Sequence, residues 1–224
     1  METNILEKQL ETILHQHIDH SDASHDIHHA RRVLHNAVEI STREGHGDRR
    51  LLTAGAYLHD LVNVPKNSQL RSEASRLSAE AAEPILEELD FTPEETAAVQ
   101  HMIIAHSFSA NIPTETIEAK ILQDADRMEA IGALGIARTF YVAGKLSSQL
   151  FDGDDPFAKT RPLNDSQFSV DHFKAKLLGL AATMKTVAGR EIAKERSDYM
   201  LGFLHQLGAE IGFEVPVDWT PVQA

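Results

Sequence analysis

Apolar residues recur at helical spacing along most of the chain, and β-branched runs with strict alternation are missing. Recurrence at every third or fourth position predicts amphipathic α-helices, whereas alternation would predict strands. The pattern therefore predicts an all-α fold. The predicted helices are, in order, Ile5 to Leu14, Ser24 to about Glu44, Asp48 to Val62, Arg71 to Leu89, Pro93 to about Ser107, Thr114 to Gly144, about Val170 to Val187 and about Arg190 to Leu207.

Local signals mark several of these helix ends. Ser24 is the expected N-cap of the second helix, with Asp26 in its first turn. The run Thr92-Pro93-Glu94-Glu95 places an N-cap threonine, a proline at the first helical position and two acids in the first turn. Pro84 predicts a kink or a break in the fourth helix. The segment from Leu150 to Ser169 is rich in Asp, Gly and Pro and is expected to be a surface loop.

This loop is the only shift in composition along the chain, and the helices after it are too few to bury a core by themselves. The chain is therefore expected to form one domain over residues 1–224. Its chemistry is expected in a core over about residues 20–145, and a C-terminal helical extension is expected over about 170–213.

The charge and the cysteine content exclude several functions. The 21 Lys and Arg residues against 34 Asp and Glu residues give a net charge of −13, which disfavours polymeric nucleic acid and anionic membranes as partners. The chain has no cysteine, so disulfides, thiolate metal sites and cysteine nucleophiles are excluded. Neither a signal peptide nor a membrane-spanning apolar run is recognisable, and a cytoplasmic location is expected.

Histidine is abundant, with 13 residues, seven of them within the first 35 positions. His25, His29 and Arg32 are spaced to share one face of the second helix, and the apolar neighbours predict that this face points inward. A bound cation would compensate inward-facing neutral imidazoles. A solvated His-rich face is an equally open explanation.

Two further segments place polar groups in apolar surroundings. His59 and Asp60 close a helix of small and apolar residues, and imidazole nitrogen together with carboxylate oxygen suits ions such as Mn²⁺, Fe²⁺ or Zn²⁺. Asp124, Asp126 and Arg127 lie inside an otherwise apolar helix, where buried carboxylates need a cation. A structural Asp–Arg pair is the alternative for this second segment.

The order His29-x-x-Arg32-Val33, His59-Asp60 and Ala125-Asp126-Arg127 resembles the HD-domain superfamily of metal-dependent phosphohydrolases, in its small bacterial single-domain branch. Flanking blocks are similar to that branch in the same order, so that the resemblance covers most of the chain. It implies a single HD-domain helical bundle with additional C-terminal helices. The flanking blocks are Ser24-His25-Asp26, Val64-Pro65-Lys66-Asn67, Ala105 to Ala110, Glu118-Ala119-Lys120 and Asp155-Pro156-Phe157-Ala158.

The resemblance implies a metal site made by His29, His59, Asp60 and Asp126. Asp126 is preferred to Asp124 because the family's last ligand precedes a basic residue, and His29 is preferred to His28 because Arg32-Val33 follows His29 at the matching distance. Two histidines and two carboxylates leave room for water on a six-coordinate ion. The expected ion is Mn²⁺, with Mg²⁺, Fe²⁺, Co²⁺, Ni²⁺ or Zn²⁺ as alternatives.

The implied reaction is hydrolysis of a phosphate ester or anhydride in a small phosphorylated molecule, with nucleotides as the first expectation, by a metal-activated water. Asp60 and His106 are the candidate catalytic residues. His101 lies about 140° from His106 on an ideal helix and is not expected to face the same ion. The candidate substrate-binding residues are Lys66, which is preferred, and Arg32, Arg71 and Arg127.

Two other functions stay open at this point. Some relatives use additional histidines between the HD pair and the last aspartate to hold two irons as oxygenases, and only His101 and His106 could supply these here. The third possibility is a non-enzymatic ligand-binding HD module. The sequence does not specify the substrate, whether phosphate or pyrophosphate is released, the native metal, the number of ions or the oligomeric state.

Overall fold

The computed structural model describes residues 2–17, 27–62, 64, 71–107 and 110–220. Nine α-helices form within these residues, and an isolated bridge between Gln149 and Phe168 is the only extended pairing among them. The all-α prediction is confirmed. The helices are α1 (Glu2–His17), α2 (Ile27–Glu44), α3 (Arg49–Leu58), α4 (Ala74–Glu88), α5 (Pro93–His106), α6 (Ile117–Arg127), α7 (Gly132–Lys145), α8 (Asp171–Ala175) and α9 (Val187–Ile211).

The chain divides into two compact units, Met1–Asp126 and Arg127–Ala224. The expectation of a single domain over residues 1–224 stays a prediction. None of the helices within the described residues combines the length and the apolar character that crossing a membrane requires.

Helix α3 lies at the centre of the first unit and contacts α1, α2, α4 and α5. Every residue from Leu52 to Leu58 is buried. A Cβ atom on Gly55 would lie 2.7 Å from Cε of Met102 and 3.2 Å from Cδ2 of Leu122, so that a glycine is what allows this close packing. Helix α3 is therefore tightly packed in the core of the first unit, and His59 directly follows it as its C-cap.

Helix α5 begins as predicted. The Thr92 hydroxyl accepts a hydrogen bond from the Glu95 amide at 3.2 Å, while the Glu95 carboxylate accepts one from the Thr92 amide at 2.8 Å. This reciprocal pair satisfies two amides that have no partner within the helix. Helix α5 then runs to His106, with Ser107 as its C-cap.

The prediction of one helix from Thr114 to Gly144 is wrong. Helix α6 ends at Arg127, a 3₁₀ turn covers Met128–Ala130, and α7 starts at Gly132. Ile131 is extended, and Gly132 has a φ of +75°, a conformation that glycine adopts without steric cost. The break places Asp126 in the last turn of a helix rather than in the middle of one.

Other predicted boundaries also differ from the structure. The third helix ends at Leu58 and not at Val62, and Pro84 lies inside α4 without ending it. The helix predicted over Val170 to Val187 is the short α8 followed by a 3₁₀ segment, Leu177–Thr183. Helix α9 begins earlier than predicted because the Thr186 hydroxyl caps it, and it ends at Ile211, followed by the C-cap Gly212, whose φ is +80°. The predicted N-cap Ser24 lies outside the described residues.

The segment from Leu150 to Ser169 has no helix, as predicted, and its acidic residues organise it. Asp155 accepts hydrogen bonds from the amides of Thr160, Lys159 and Arg161, which hold the pKa of this carboxyl well below its usual range. Arg161 donates two hydrogen bonds to the fully buried Asp171, at 2.6 and 2.8 Å. Asp155 thus binds backbone amides of this segment, and Asp171 forms an ion pair with the segment's Arg161.

The C-terminal tail of the second unit packs through one aromatic residue. Trp219 is buried and contacts Phe157 edge to face, with ring centroids 5.4 Å apart. Burial of two large rings supplies a substantial apolar contribution where regular structure ends.

Candidate metal centre

Side chains from α2, from α6 and from the C-terminal end of α3 converge in the first unit. The Nε2 atoms of His29 and His59 are 3.2 Å apart. Asp126 Oδ1 lies 3.5 Å from Nε2 of His29 and 3.9 Å from that of His59. Asp60 Oδ2 lies 3.9 Å from Nε2 of His29 and 3.5 Å from that of His59. The structure thus brings together the four residues that the sequence indicated as ligands.

His29 is the third residue of α2 and is buried, whereas its neighbour His28 is exposed. Helical geometry turns adjacent side chains about 100° apart, so that only one of the two can face the cluster. The choice between the adjacent histidines therefore agrees with the geometry. Asp126 likewise joins the cluster, while Asp124 is fully buried on α6 and is not among its members.

His59 caps the C-terminus of α3, and its ring is held by the last turn of that helix. Its Nδ1 lies 3.0 Å from the carbonyl oxygen of Ala56. Because a carbonyl can only accept, we assign the proton to Nδ1, which leaves the lone pair of Nε2 directed at the cluster. Burial lowers the pKa of His59 to about 4, although the charge of Asp60 acts in the opposite direction. The ring is therefore neutral at pH 7 and able to act as a ligand.

His106 repeats this arrangement at the end of α5. Its Nδ1 lies 2.6 Å from the carbonyl oxygen of Ile103, and its Nε2 lies 3.7 Å from Oδ1 of Asp60. The ring is edge-on to His59, with centroids 4.8 Å apart. Burial alone would lower the pKa of His106, but the facing carboxylates of Asp60 and Asp126 outweigh it and raise the pKa above its ordinary value.

The two carboxylates form the open side of the cluster. The side chains of Asp60 and Asp126 are 34% and 31% exposed, whereas those of His29 and His59 are 5% and 2% exposed. The imidazoles thus lie at the bottom of the site and the carboxylates at its mouth. A small molecule can approach from the carboxylate side.

The donor set fits a divalent ion. Ligand atoms about 2.1 Å from one ion lie about 3.0–3.4 Å apart in octahedral or tetrahedral geometry. The shortest separations in the cluster, 3.2 to 3.5 Å, lie close to this range. Two imidazole nitrogens directed at each other over 3.2 Å also need either a shared proton or a cation between them. Mixed nitrogen and oxygen ligands suit Mn²⁺, Fe²⁺ and Zn²⁺.

The helix ends add to this preference for a cation. His59, His106 and Asp126 lie at the C-terminal ends of α3, α5 and α6. Each helix C-terminus carries a partial negative charge, so that three of them favour positive charge at the site.

The predicted substrate-binding residues have different outcomes. Lys66 lies outside the described residues, as does the side chain of Arg71. Arg32 is partly buried on α2, one turn from His29. The guanidinium of Arg127 donates a hydrogen bond to the Thr183 carbonyl at 2.8 Å within the second unit. All four stay predictions as substrate contacts.

A second group in the described residues, His59, Asp60 and His106, also has donor atoms close enough to hold an ion. The sequence reasoning assigned His106 a catalytic role and did not place it with the ligands. The signal was present, because His106 closes an apolar helix in the same way as His59 does. His101, in contrast, accepts a hydrogen bond from the Glu115 amide at 3.1 Å and is not part of either group.

Comparison with known proteins agrees with this site. Residues 26–131 match the HD domain family. The uncharacterized protein YpgQ of Bacillus subtilis (strain 168) is 34% identical over 212 residues, which are 91% of this chain and 93% of YpgQ.

Solved structures extend the similarity to the whole fold. The crystal structure of Bacillus subtilis YpgQ in complex with ADP has a TM-score of 0.71 and 31% identity, covering 94% of this chain and 97% of that one. The crystal structure of an HD-superfamily hydrolase from Bacillus thuringiensis has a TM-score of 0.72 and 35% identity, and the match covers 95% of this chain and 99% of that one. With the motif residues gathered at one site and relatives similar over almost their full length, the chain belongs to the HD-domain superfamily of hydrolases.

Proposed function

We propose that this protein is a metal-dependent phosphohydrolase that cleaves phosphate ester or anhydride bonds of a small phosphorylated substrate, with nucleotides as the substrate class. The observation that carries the proposal is the convergence of two buried imidazole Nε2 atoms and two partly exposed carboxylates at one site. This combination can hold a cation and still leave it accessible to a ligand.

The residues that would hold the ion are His29, His59, Asp60 and Asp126, and Mn²⁺ is the proposed metal. Such an ion lowers the pKa of water and polarises a phosphoryl oxygen. The imidazoles would bind it through Nε2, and the Ala56 carbonyl beside Nδ1 of His59 keeps that ring in the required tautomer.

Two residues are proposed to act on the reacting groups. Asp60 lies between the histidine pair and His106, with Oδ2 towards the former and Oδ1 towards the latter. It is thus placed to orient a water molecule beside the ion by accepting a hydrogen bond from it. His106 is placed to donate a hydrogen bond to the phosphate or a proton to the leaving group.

The substrate class rests on chemistry and on one relative. A polyanion needs local cations despite the net charge of −13, and Lys66, Arg32, Arg71 and Arg127 are the proposed contacts, with Lys66 first. YpgQ of Bacillus subtilis has been crystallised with ADP, which supports a nucleotide over other phosphorylated molecules.

The test is a substrate screen with the purified protein. Nucleotides and sugar phosphates are incubated with Mn²⁺, Mg²⁺, Co²⁺ or Ni²⁺, and released phosphate and pyrophosphate are measured separately. We expect turnover of nucleotides that disappears after chelation and in the Asp126→Ala variant. Tight binding of nucleotides without any turnover would instead support a ligand-binding HD module.

A further inference from the structure

Two buried amide side chains connect the helices that carry the metal-site residues. Asn36 on α2 donates from Nδ2 to the carbonyl oxygen of Ala125 on α6 at 3.1 Å. Gln123 on α6 donates from Nε2 to the carbonyl oxygen of Ala105 on α5 at 2.7 Å. Only an NH₂ group can donate to a carbonyl, so that these contacts also fix the orientation of both amides.

Each accepting carbonyl belongs to the residue immediately before a member of the cluster. Ala125 precedes Asp126, and Ala105 precedes His106. Both carbonyls lie in the last turn of an α-helix, where the helix itself supplies no donor. Both alanines are fully buried, and a buried carbonyl requires a partner.

The donors also share faces with cluster members. Asn36 follows His29 by seven positions, which is about two turns of α2 and returns to the same face. Gln123 precedes Asp126 by three positions on α6, so that their side chains are neighbours. One amide therefore ties the end of α6 to the helix of His29, and the other ties α6 to the helix of His106.

A contribution to fold stability alone does not explain why a glutamine occupies the buried position 123. This side chain is 4% exposed, and its Oε1 has no hydrogen-bond partner in the part of the chain that the structure describes. A buried acceptor in that state carries a desolvation penalty that an apolar residue of the same shape would avoid. Its amide donor, in contrast, has a short contact to the segment that carries His106.

We propose that Asn36 and Gln123 are positioning residues, which hold the carboxylate of Asp126 in register with His29 on one side and His106 on the other. The inference rests on the proposed function, since it assumes that Asp126 is a metal ligand. Its effect reaches the ion through Asp126 and not through contact with the ion.

The experiment measures Mn²⁺ affinity by the electron paramagnetic resonance signal of the free ion, which reports weak as well as tight binding. Asn36→Leu and Gln123→Met remove the donors at similar volume, and each is expected to weaken Mn²⁺ affinity about tenfold, as loss of a partner of a ligand does. The matched control is Thr53→Val, because Thr53 is fully buried but donates to the Arg49 carbonyl of its own helix. This control is expected to change affinity by less than about twofold even if it lowers the unfolding midpoint equally.

Double variants separate positioning from general loosening of the fold. In an Asp126→Asn background, the Asn36→Leu and Gln123→Met substitutions are expected to lose most of their effect on affinity. In an Asp60→Asn background, where the amide oxygen can still bind the ion, they are expected to keep it, since residue 60 is not on α6.

Equal effects in both backgrounds, or an effect of Thr53→Val as large as the others, would overturn the inference. If the wild-type protein binds Mn²⁺ and hydrolyses nucleotides, and both single variants bind Mn²⁺ as tightly as the wild type, the inference is overturned but the proposed function is not. Wild-type protein that binds no Mn²⁺ would overturn the proposed function as well.

Discussion

His29 and His59 come from different helices, thirty positions apart, and their Nε2 atoms face each other at 3.2 Å. The Ala56 carbonyl already holds the proton of His59 on Nδ1, so that the Nε2 lone pair of His59 must be met by a proton of His29 or by a cation. The two rings form the buried base of the site, and Asp60 and Asp126 complete it from the exposed side.

Loss of either half of the HD pair is expected to abolish metal binding and hydrolysis. His59→Ala removes a proposed nitrogen ligand, and Asp60→Ala removes an oxygen that lies between His59 and His106. Calorimetric metal titration and phosphate release check this, while circular dichroism checks that the protein stays helical. His101→Ala is the matched control, because His101 bonds to the Glu115 amide outside the cluster. Full activity in either HD variant would contradict the site assignment.

The metal content distinguishes a hydrolase from an iron oxygenase. Among the described residues, both groups that could hold an ion share His59, and His101 is engaged elsewhere. We therefore expect one ion per chain by elemental analysis and full activity with Mn²⁺ in the absence of oxygen. Two irons per chain with oxygen-dependent turnover would support the oxygenase instead.

Replacement of Lys66, the preferred candidate for contacting the substrate phosphate, is expected to weaken substrate binding. Lys66→Ala should raise the KM for phosphorylated substrates while kcat changes little, because a contact to a non-reacting phosphate contributes equally to the ground state and the transition state. Steady-state kinetics check this, with Lys194→Ala as control, since Lys194 pairs with Asp198 on an exposed surface of α9. An unchanged KM would remove Lys66 from the substrate site.

The carboxyl of Glu11 links α1 to the rest of the first unit in a pH-dependent way. It accepts hydrogen bonds from Arg31 at 2.7 and 2.9 Å and from Tyr57 at 2.8 Å, and the Arg31 contact is the main cause that lowers its pKa from 4.5 to about 2. A depressed folded-state pKa contributes stability above pH 4.5 that is lost as the pH falls towards 2.

Glu11→Gln is therefore expected to destabilise the protein at pH 7 by about 1 kcal/mol. The difference in unfolding free energy between wild type and variant should shrink as the pH falls from 4.5 to 2. Urea unfolding at a series of pH values measures it. A difference that is independent of pH would show that the charge of Glu11 contributes nothing.

Breaking the buried ion pair between Arg161 and Asp171 in the second unit is expected to lower the free energy of unfolding more than Glu11→Gln does. Arg161→Met leaves the fully buried Asp171 without its bidentate partner, which costs about 3–5 kcal/mol in comparable buried pairs. Thermal and urea unfolding measure this loss. Arg76→Met is the matched control, because Arg76 pairs with Glu73 and Glu80 on the surface and should change stability little. Equal effects of both substitutions would contradict the importance of burial.

The helical content and the site residues were accessible from sequence because their signals are local. The spacing of apolar residues predicts the helices, and the run Thr92 to Glu95 predicts the start of α5. The resemblance to the HD-domain superfamily implies His29, His59, Asp60 and Asp126 as ligands, and it prefers His29 to His28, which the structure shows to be exposed.

The rest depends on contacts that leave no local signal. The apolar series continues through Ile131 and Leu134, so that periodicity alone predicts one long helix where Gly132 begins a new one. The contact from Asn36 to Ala125 spans 89 positions, and a polar residue on a helix face does not indicate which distant carbonyl it will meet. His106 is a candidate catalytic residue from the sequence, but its position beside Asp60 depends on how α3 and α5 pack.

The three helix ends that meet at the site have a consequence for the stability of the first unit. The last turns of α3, α5 and α6 contain carbonyls that their own helices leave without donors, and these turns are the parts of a helix that fray first. An ion held by His29, His59 and Asp126 would link the ends of α3 and α6 to α2. The end of α5 lies beside the same site through His106. Ligand binding and folding of this unit would then be one equilibrium, and the melting temperature is expected to rise with the concentration of Mn²⁺.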